Sequence, residues 1–477
     1  MESQITNKDT LETFDGELLH PSLDVKDGIL ALGFRYRSKP QETKEIFIVV
    51  CESNIQFVDG EAFNIKDKHY FFEKRNRKLA ILEEKWSASA LKQFLEDYGK
   101  LKNFGSSGQA VFQIVLDLTK KYIQLDKDID YYLLSAWIIG TYFFPIFYAY
   151  PFLHIKAPKR SGKSQCLNLL TQVCFNAIKA RPSLPALGDT VDSLRGTYLI
   201  DQADSLERKG NEELLDVLAD SYKKSGGKRR IMNMDKKKGR EILEIETYCP
   251  KAFASIRELP EDLRDRCLAV PLIRSQKNFP DPDENNENWR EIRGKIYTFL
   301  MTNYDLVATH YSVKKISYRS NQEILGRSLE LWLPFETMLE CCGMQEKIID
   351  ARKNFLSQYE FSEYEPSELE EEVMKAILSK LGEQPEIVLN PKEIAESIGA
   401  EIFLAVDTPK QKSSKVGWAI KKFNLASEKM PRSKEGVRYL FQKAKVDSIF
   451  KSYCKTEEKH TPLTLEPINT VNPEQIT

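Results

Sequence analysis

Three absences narrow the classes to which this sequence can belong. The 477 residues carry a formal net charge of only -1, so the chain is not a globally basic nucleic-acid binder, and any such contact must come from a local patch. None of the eight cysteines forms a C-x-x-C pair and the five histidines are scattered, which predicts reduced thiols, no zinc site and a cytoplasmic protein. The first residues lack the basic-then-apolar order of a signal peptide.

One long uncharged stretch has the length of a membrane-spanning helix. Tyr131–Leu153 contains no charged residue. It also holds Pro145, Pro151 and five tyrosines, and it runs directly into an apolar strand. These features favour a buried helix followed by a core strand, and we expect no membrane partner.

The most informative pattern in the chain is a phosphate-binding loop. Residues 154–164 read HIKAPKRSGKS, in which an apolar strand leads through Gly162, Lys163 and Ser164 into a helix. In such a loop backbone N–H groups wrap the phosphates, the Lys reaches the β- and γ-phosphates, and the hydroxyl binds Mg²⁺. Ala157 stands where the strict pattern has its first glycine. We predict a site for ATP and Mg²⁺ formed by Ala157, Pro158, Lys159, Arg160, Ser161, Gly162, Lys163, Ser164 and Gln165.

A strand that ends in a carboxylate follows the loop in the chain. Residues 197–201 read TYLID, and Asp201 is the candidate second Mg²⁺-organising residue. The next position, at which P-loop ATPases commonly have a Glu that polarises the attacking water, is Gln202. Asp204 is a candidate to replace that Glu; the alternative is slow hydrolysis. Without the loop, these residues would predict only a strand followed by an acidic helix cap.

A basic hairpin is predicted after this strand. Nine Lys or Arg residues and one Asp lie between Lys223 and Arg240, in two β-compatible runs joined by a Lys-Lys-Lys-Gly turn. A charge run is often only a solvated face, but an insertion at this place can project into the channel of a ring ATPase. A phosphate backbone would bind there with strong salt dependence and little sequence preference. The candidate DNA-binding residues are Lys228, Arg229, Arg230, Lys236, Lys237, Lys238 and Arg240.

Arginines follow the next predicted strand, Lys251–Ile256. Arg266 is the first candidate, and Arg264 the second, for contacting the γ-phosphate bound by a neighbouring subunit. Surface salt bridging is the alternative for both. Farther along, Arg327 is a candidate to report the nucleotide state to a helical lid, and Trp332 is expected in the lid core.

Composition and periodicity divide the chain into six segments. They are a β-rich N-terminal domain (1–86), a helical connector (87–149), an α/β P-loop ATPase core (150–275), a helical lid (276–362), a winged-helix domain (363–454) and a disordered tail (455–477). Among the predicted elements are strand Leu79–Leu82 and helices Ser87–Tyr98, Gln165–Ala177, Trp289–Tyr311 and Asn321–Cys342.

The order of these elements resembles the AAA+ helicases and primase-helicases of phages, plasmids and chromosomal cassettes, which are related in architecture to minichromosome-maintenance helicases. The resemblance covers about Tyr131 to Cys342, with a looser match to a C-terminal winged helix. It is carried by the stretches WIIGTYF (137–143), LIDQAD (199–204), PKAFA (250–254) and LRDR (263–266), and by Arg327 and Trp332.

This resemblance implies a ring, of six subunits in the commonest case, with ATP bound between neighbours. Lys163, Ser164 and Asp201 would act from one subunit and Arg266 from the next, while the hairpin grips DNA in the channel. We therefore predict an ATP-dependent DNA helicase that acts in the replication of a mobile genetic element. Two alternatives stay open: an ATP-switched replication initiator or regulator that does not unwind DNA, and a signalling or defence ATPase without DNA contact.

Overall fold

The structure is a computed structural model that divides into two compact units, Met1–Glu360 and Phe361–Thr477. The predicted tail from residue 455 lies outside the residues described. The structure describes residues 16–39, 42–52, 54–65, 67–73, 81, 86, 91–96, 107–157, 161–180, 183–207, 210–235, 239–273, 278–283, 285–321, 324–360, 368–399, 402–403, 408–431 and 437–453.

The first unit begins with two small β-sheets whose side chains are buried alternately in two hydrophobic cores. In β3 (Ile29–Lys39), Leu30 and Leu32 face the main core of the unit, whereas Ile29 and Ala31 face a separate cluster with Leu19. This is the two-residue period of a strand buried on both faces. Of predicted strand Leu79–Leu82, only Ile81 is described. One sheet has the antiparallel order β2-β3-β4-β5 and the other the order β1-β7-β6, with β1 Gly16–Leu19, β2 Leu23–Lys26, β3 Ile29–Lys39, β4 Glu42–Cys51, β5 Asn54–Val58, β6 Ala62–Ile65 and β7 Lys68–Phe72.

Two helices connect these sheets to the rest of the unit: α1 (Ser107–Tyr122) and α2 (Asp128–Phe143). A further described helical stretch, 91–96, lies within predicted helix Ser87–Tyr98. Helix α2 is apolar all round and almost wholly buried, as its sequence predicts. At Gly140 a Cβ would lie 2.4 Å from the Tyr150 hydroxyl, so only glycine fits there. None of the described helices is both long and apolar enough to span a membrane.

The centre of the unit is a five-stranded parallel sheet in the order β14-β8-β13-β10-β9. The first four residues of β8 and all of β10 and β13 are buried, as expected for a parallel sheet covered on both faces. The strands are β8 Phe152–Lys156, β9 Ile178–Ala180, β10 Tyr198–Ile200, β13 Lys251–Ser255 and β14 Cys267–Pro271, and the helices are α3 Lys163–Val173, α4 Leu184–Leu194, α5 Glu212–Asp220 and α6 Glu261–Arg264.

Helix α3 is shorter than predicted helix Gln165–Ala177. The backbone is extended at Cys174, and the Phe175 N–H donates to the Thr141 hydroxyl of α2 at 3.0 Å. The Phe175 ring then packs edge-on against Tyr142. Tertiary contacts with α2 therefore use the apolar residues that would have continued the helix.

Three helices follow the sheet: α7 (Trp289–Asn321), α8 (Gly326–Cys341) and α9 (Ile348–Glu360). Sequence periodicity placed a break after Tyr311, but α7 continues for ten more residues and the break precedes Gly326. Side chains of α8 stabilise the last turns of α7, because Glu336 accepts hydrogen bonds from Lys314 at 2.9 Å and Tyr318 at 2.6 Å. Trp332 is buried among these helices, as predicted.

The second unit has its own core, formed by residues such as Val373, Ile377, Val416 and Phe441. An N-cap side chain followed by proline starts two of its helices, with Asn390 before Pro391 and Thr408 before Pro409. Its elements are α10 Glu368–Leu381, β15 Glu386–Leu389, α11 Pro391–Ala395, α12 Pro409–Lys422, β16 Glu428–Lys429, β17 Tyr439–Gln442 and α13 Lys443–Tyr453, with an antiparallel sheet of order β15-β17-β16.

A buried arginine joins the N-terminal sheets to the parallel-sheet core. The Arg195 guanidinium lies 3.1 Å from Asp24 of β2 and 3.7 Å from Glu246, the last residue of strand β12 (Gly239–Glu246). Burial alone would raise the pKa of Asp24, but the charge of Arg195 and a hydrogen bond from the His20 N–H hold that pKa below its ordinary value. The negative charges of Asp24 and Glu246 are therefore both balanced by the guanidinium of Arg195.

Replacing Arg195 tests this connection. Arg195→Met keeps the aliphatic stem but leaves two carboxylates without their cation, so we expect a loss of about 3–5 kcal/mol in the free energy of unfolding. The matched control is Lys26→Met, which removes a half-exposed ion pair with Glu17 and should cost less than about 1 kcal/mol. Urea unfolding followed by circular dichroism measures both. Equal losses in the two variants would contradict a connecting role for Arg195.

Candidate functional site

The phosphate-binding loop lies at the carboxyl end of β8, where ligands bind in open parallel sheets. The backbone passes from Lys156 through buried Ala157 to Ser161, and helix α3 begins at Lys163. Gly162 has φ +83°, a left-handed conformation that favours glycine, while the nearest atom to an added Cβ is 3.8 Å away. Backbone conformation, and not lack of space, therefore requires Gly162. Pro158, Lys159 and Arg160 lie outside the described residues.

The side chains at the start of α3 fit a phosphate ligand. The Lys163 ammonium donates to the Ala157 carbonyl, so it lies over the loop. Burial lowers the pKa of Lys163, and the charges of Asp204 and Asp201 oppose that shift. The Ser161 hydroxyl is buried without a hydrogen-bond partner in the described part of the chain, and Ser164 is exposed. A partly desolvated ammonium, an unsatisfied hydroxyl and a helix N-terminus are the groups with which proteins bind anions.

Asp201 follows β10 directly and lies at the same edge of the sheet as the loop. Its Oδ2 is 3.2 Å from the Lys179 ammonium, and its Oδ1 accepts from the Gln202 N–H at 2.9 Å. Gln202 is exposed and has φ +56°. Asp201 is thus in place to act near Lys163, whereas the neutral amide of Gln202 cannot serve as a base.

Asp204 has a structural partner on the neighbouring strand. Its carboxylate accepts from the backbone N–H groups of Ile256 at 3.0 Å and Arg257 at 2.8 Å, just beyond β13. Burial would raise the pKa of Asp204, but these hydrogen bonds lower it. The carboxylate therefore stays charged and holds the turn after β10 against the end of β13.

His154, inside β8, was not among the predicted site residues. Its Nε2 is 2.7 Å from the Ser255 hydroxyl of β13, which donates to the Arg257 carbonyl at 2.6 Å. Burial lowers the pKa of His154 to about 4, although Glu258 opposes the shift, so the imidazole is neutral at neutral pH. The loop strand and the residues that bind Asp204 are thus joined by one hydrogen-bond chain. In the sequence, the only indication of this hydrogen-bond chain is a histidine inside an apolar strand.

A cavity of about 290 Å³ adjoins the loop. Ser161, Gly162 and Gln165 line one side, and Tyr122 and Ile273 are among the residues lining the rest. The cavity lies beyond the carboxyl end of β14 and next to the phosphate-binding loop. It has the size and position to hold the base and sugar of a nucleotide.

Two of the candidate arginines, Arg266 and Arg327, lie at the opposite edge of the sheet. The Arg266 carbonyl accepts from the Phe152 N–H at 2.9 Å, at the amino end of β8. Arg266 and Arg327 both lie over the Tyr222 ring, with guanidinium carbons 5.3 and 5.9 Å from its centre. Arg327 also pairs with Asp265. The Nε atoms of both arginines are buried without a hydrogen-bond partner among the residues described. Tyr222 is a member of this cluster that no sequence pattern indicated.

The basic hairpin is confirmed as an antiparallel pair, β11 (Lys228–Asp235) and β12. Near its base the cations are paired: Lys228 lies 3.0 Å and Arg230 3.4 Å from Glu244, and Arg229 pairs with Glu213. Arg240 is placed opposite Met234 by the strand register. The predicted tip, Lys236, Lys237 and Lys238, lies outside the described residues, and Arg264 lies at the end of α6.

The depressed pKa of His154 predicts a pH-dependent stability. Because the folded pKa of about 4 lies below the ordinary 6.5, the contribution of neutral His154 is complete above pH 6.5 and declines toward pH 4. Between pH 7.5 and pH 5 the free energy of unfolding should fall by about 2 kcal/mol more in the wild type than in His154→Asn, whose side chain cannot titrate. Urea unfolding of both proteins at the two pH values gives the difference. If the difference in unfolding free energy between the two proteins is the same at both pH values, His154 is not a buried neutral histidine.

No protein-family model matches this chain, and no curated protein is similar to it in sequence. Among solved structures, it is similar to SCCmec type IV Cch, an active helicase, at 10% identity and TM-score 0.37, over 91% of this chain and 81% of the other. It is also similar to an MCM homolog from Methanopyrus kandleri, at 9% identity and TM-score 0.34, over 69% and 77% of the two chains. The apo C-terminal region of NrS-1 matches at 11% identity and TM-score 0.29, over 83% and 94%. At this low similarity, the chemistry of the site is inferred from the side chains of this chain and their contacts.

Proposed function

We propose that the chain is an ATP-dependent DNA helicase or translocase of the AAA+ class, with ATP hydrolysed between subunits of a ring. One observation carries the proposal: the phosphate-binding residues lie at one edge of the parallel sheet, whereas Arg266, with Arg327 beside it, lies at the other. A single copy therefore holds two halves of an ATPase site that cannot meet within it. The sheet order, with β13 between the loop strand β8 and the Asp201 strand β10, also supports an AAA+ core.

The nucleotide half of the site uses residues at the carboxyl edge. Lys163 would leave the Ala157 carbonyl and bind the β- and γ-phosphates, while backbone N–H groups at the start of α3 hold their oxygens. Ser164 and Asp201 would hold Mg²⁺, which neutralises charge that develops on the phosphates. The cavity beside Gln165 would take the base, so ATP would lie along this edge.

The arginine half must come from a second copy. Phe152, which bonds the Arg266 carbonyl, lies four residues before Lys156, a distance of about 13 Å along the strand, and the phosphate loop begins beyond it. Arg266 therefore cannot reach the phosphates bound by its own subunit. Arg266, with Arg327 beside it and Arg264 as the alternative, would contact the γ-phosphate held by a neighbour. Repeating this head-to-tail contact closes a ring, for which we propose six subunits.

The hairpin β11–β12 would be the DNA contact in the ring channel. It follows β10 in the chain and precedes β13, so its base is attached to the strands that carry Asp201 and the Asp204 partners. Exposed ion pairs such as Lys228–Glu244 contribute little stability, so these cations can exchange partners for DNA phosphates. The lysines 236–238 at the tip would supply most of the charge.

The remaining parts of the proposal rest on element order and on the resemblance. In the second unit the order helix, strand, helix, helix, two strands supports a winged-helix domain. The resemblance to helicases of mobile elements is the basis for proposing a role in replication of such an element, in the cytoplasm.

One observation favours a second candidate function, an ATP-switched initiator or regulator. The residue after Asp201 is the neutral Gln202, and the Asp204 carboxylate is already bound to two backbone N–H groups. Without a free carboxylate to polarise water, hydrolysis is slow and ATP acts as an assembly signal. Such a protein would bind DNA without unwinding it.

Mixing two inactive variants tests whether the ATP site is shared. We expect Lys163→Ala to lose ATPase activity and Arg266→Ala to lose about 10³-fold or more in kcat. In an equal mixture, about a quarter of the interfaces combine intact Lys163 with intact Arg266, so activity should return. Arg290→Ala, at an exposed arginine of α7, is the control, and Arg266→Lys separates loss of charge from loss of packing on Tyr222. A mixture no more active than its components would contradict a site formed by two subunits.

Neutralising the hairpin tip separates the two candidate functions. For a helicase, the combined change of Lys236, Lys237 and Lys238 to alanine should abolish unwinding and the stimulation of ATPase activity by single-stranded DNA, while ATP binding stays unchanged. The slope of the logarithm of the DNA-binding constant against the logarithm of the salt concentration should become shallower by about 2. The charge-matched control changes Lys353, Lys380 and Lys392. Site-specific duplex binding that survives in the hairpin variant, with no unwinding by the wild type, would instead support the initiator.

A further inference from the structure

The cavity beside the phosphate-binding loop is lined from two different parts of the chain. Ser161 and Gly162 line it from the loop, whereas Gln124, Ile273 and Phe279 line it from segments outside the loop. Phosphates bind at the start of α3, so a nucleoside attached to them would face this second group of residues. At about 290 Å³ the cavity lies near the lower end of the range for small-molecule sites, which suits one nucleoside.

Backbone hydrogen bonds hold Gln124 in place. The Tyr131 hydroxyl donates to the Ile123 carbonyl at 3.2 Å and accepts from the Leu125 N–H at 2.9 Å. The Gln124 carbonyl accepts from the Ile273 N–H at 3.1 Å. These three bonds fix the backbone on both sides of Gln124, so its half-buried side chain starts from a fixed point in the cavity wall.

The side-chain amide of Gln124 has one half bonded and one half available. Its Nε2 donates to the Leu125 carbonyl at 3.3 Å. Because a carbonyl can only accept, the NH₂ group must be the half of the amide that faces Leu125. The Oε1 atom has no hydrogen-bond partner in the part of the chain that the structure describes. A half-buried acceptor beside a cavity is stabilised by a ligand that brings an N–H donor.

Phe279 belongs to a short segment that is held at two points. The Gln165 Nε2 donates to the Pro280 carbonyl at 2.7 Å, and the Trp289 indole N–H donates to the Asp283 carbonyl at 2.6 Å. Phe279 precedes Pro280, is half-buried and lines the cavity. An aromatic ring held in this way offers a flat apolar surface to a nucleotide base.

The Gln124 oxygen distinguishes between bases. Adenine carries an amino group at position 6, which donates, whereas guanine carries a carbonyl oxygen there, which accepts. Two acceptors that face each other are both left unsatisfied, so the Gln124 Oε1 favours adenine. Cytosine also carries an amino group, but its single ring would make fewer contacts with Phe279.

We propose that Gln124 selects the base of the bound nucleotide, with its Oε1 accepting a hydrogen bond from the 6-amino group of adenine while Phe279 packs on the face of the ring. This inference rests on the proposed ATP site and deepens it, because it names the residues that decide which nucleotide binds. The contact of Gln124 with the edge of the base would set the preference between bases. The contact of Phe279 with its face would add affinity for every purine.

The first test changes the ligand and leaves the protein intact. Binding to the full-length protein is measured by displacement of an ATP analogue that carries a fluorescent group on its ribose, so the rate of hydrolysis does not enter. We expect ATP to bind about 5- to 10-fold more tightly than purine riboside triphosphate, which lacks the 6-amino group. GTP should bind more weakly still, because its O6 would face the Gln124 oxygen.

The second test changes the protein. Gln124→Met keeps the length of the side chain but removes the acceptor, so ATP and purine riboside triphosphate should bind this variant with equal affinity. Gln124→Glu keeps an acceptor and should retain the preference for ATP. Phe279→Ala should weaken the binding of both nucleotides by the same factor and leave the ratio of their affinities unchanged. The matched control is Gln113→Met, at an exposed glutamine of α1 that bonds Asp117, and it should bind both nucleotides as the wild type does.

Equal affinity of the wild type for ATP and purine riboside triphosphate would overturn the proposal, and this comparison does not depend on the folding of a variant. A Gln124→Met protein that is folded by circular dichroism and keeps the wild-type ratio of affinities would also overturn it. So would wild-type affinity of Phe279→Ala for both nucleotides. Failure of the proposed ATP site is distinguishable from these results, because the wild type would then bind none of the nucleotides.

Discussion

The common direction of the strands in the central sheet is the constraint on which the site depends. Because β8 and β10 are parallel, the loop before Lys163 and the carboxylate of Asp201 emerge at one edge. Because β14 is also parallel to β8, the segment that precedes it, with Arg266, must lie at the other edge. Sheet polarity therefore separates Arg266 from Lys163 and Asp201 within one copy. The proposed ring would bring these residues together across the boundary between two copies.

Three groups of hydrogen bonds and ion pairs join the strands of this sheet to one another and to the segments next to them. Asp204 ties the turn after β10 to the end of β13, and His154 ties β8 to the same place through Ser255. At the base of the hairpin, Arg195 connects β12 to the N-terminal β2. These contacts join the loop strand to β13, and the last residue of β12 to the N-terminal sheets.

The sequence predicted the local elements better than their tertiary partners. The loop, the hairpin and buried α2 were accessible because glycine placement, strand alternation and an uncharged run report local structure directly. The end of α3 and the length of α7 were mispredicted, because contacts of Phe175 with α2 and of Glu336 with α7 decide them. The packing of Arg266 and Arg327 on the Tyr222 ring joins residues far apart in the chain, which no local pattern reports. The roles of Asp201, Asp204 and the arginines remain predictions.

The central claim is that ATP lies between subunits that surround DNA. The most direct measurement is electron cryomicroscopy of the protein with a non-hydrolysable ATP analogue and forked DNA. The account predicts a ring in which Arg266 of one subunit reaches the γ-phosphate bound by Lys163 of the next, with residues 236–238 against the DNA strand in the channel. A nucleotide bound at Lys163 in a single copy, with no arginine from a neighbour and with DNA absent or bound elsewhere, would contradict it.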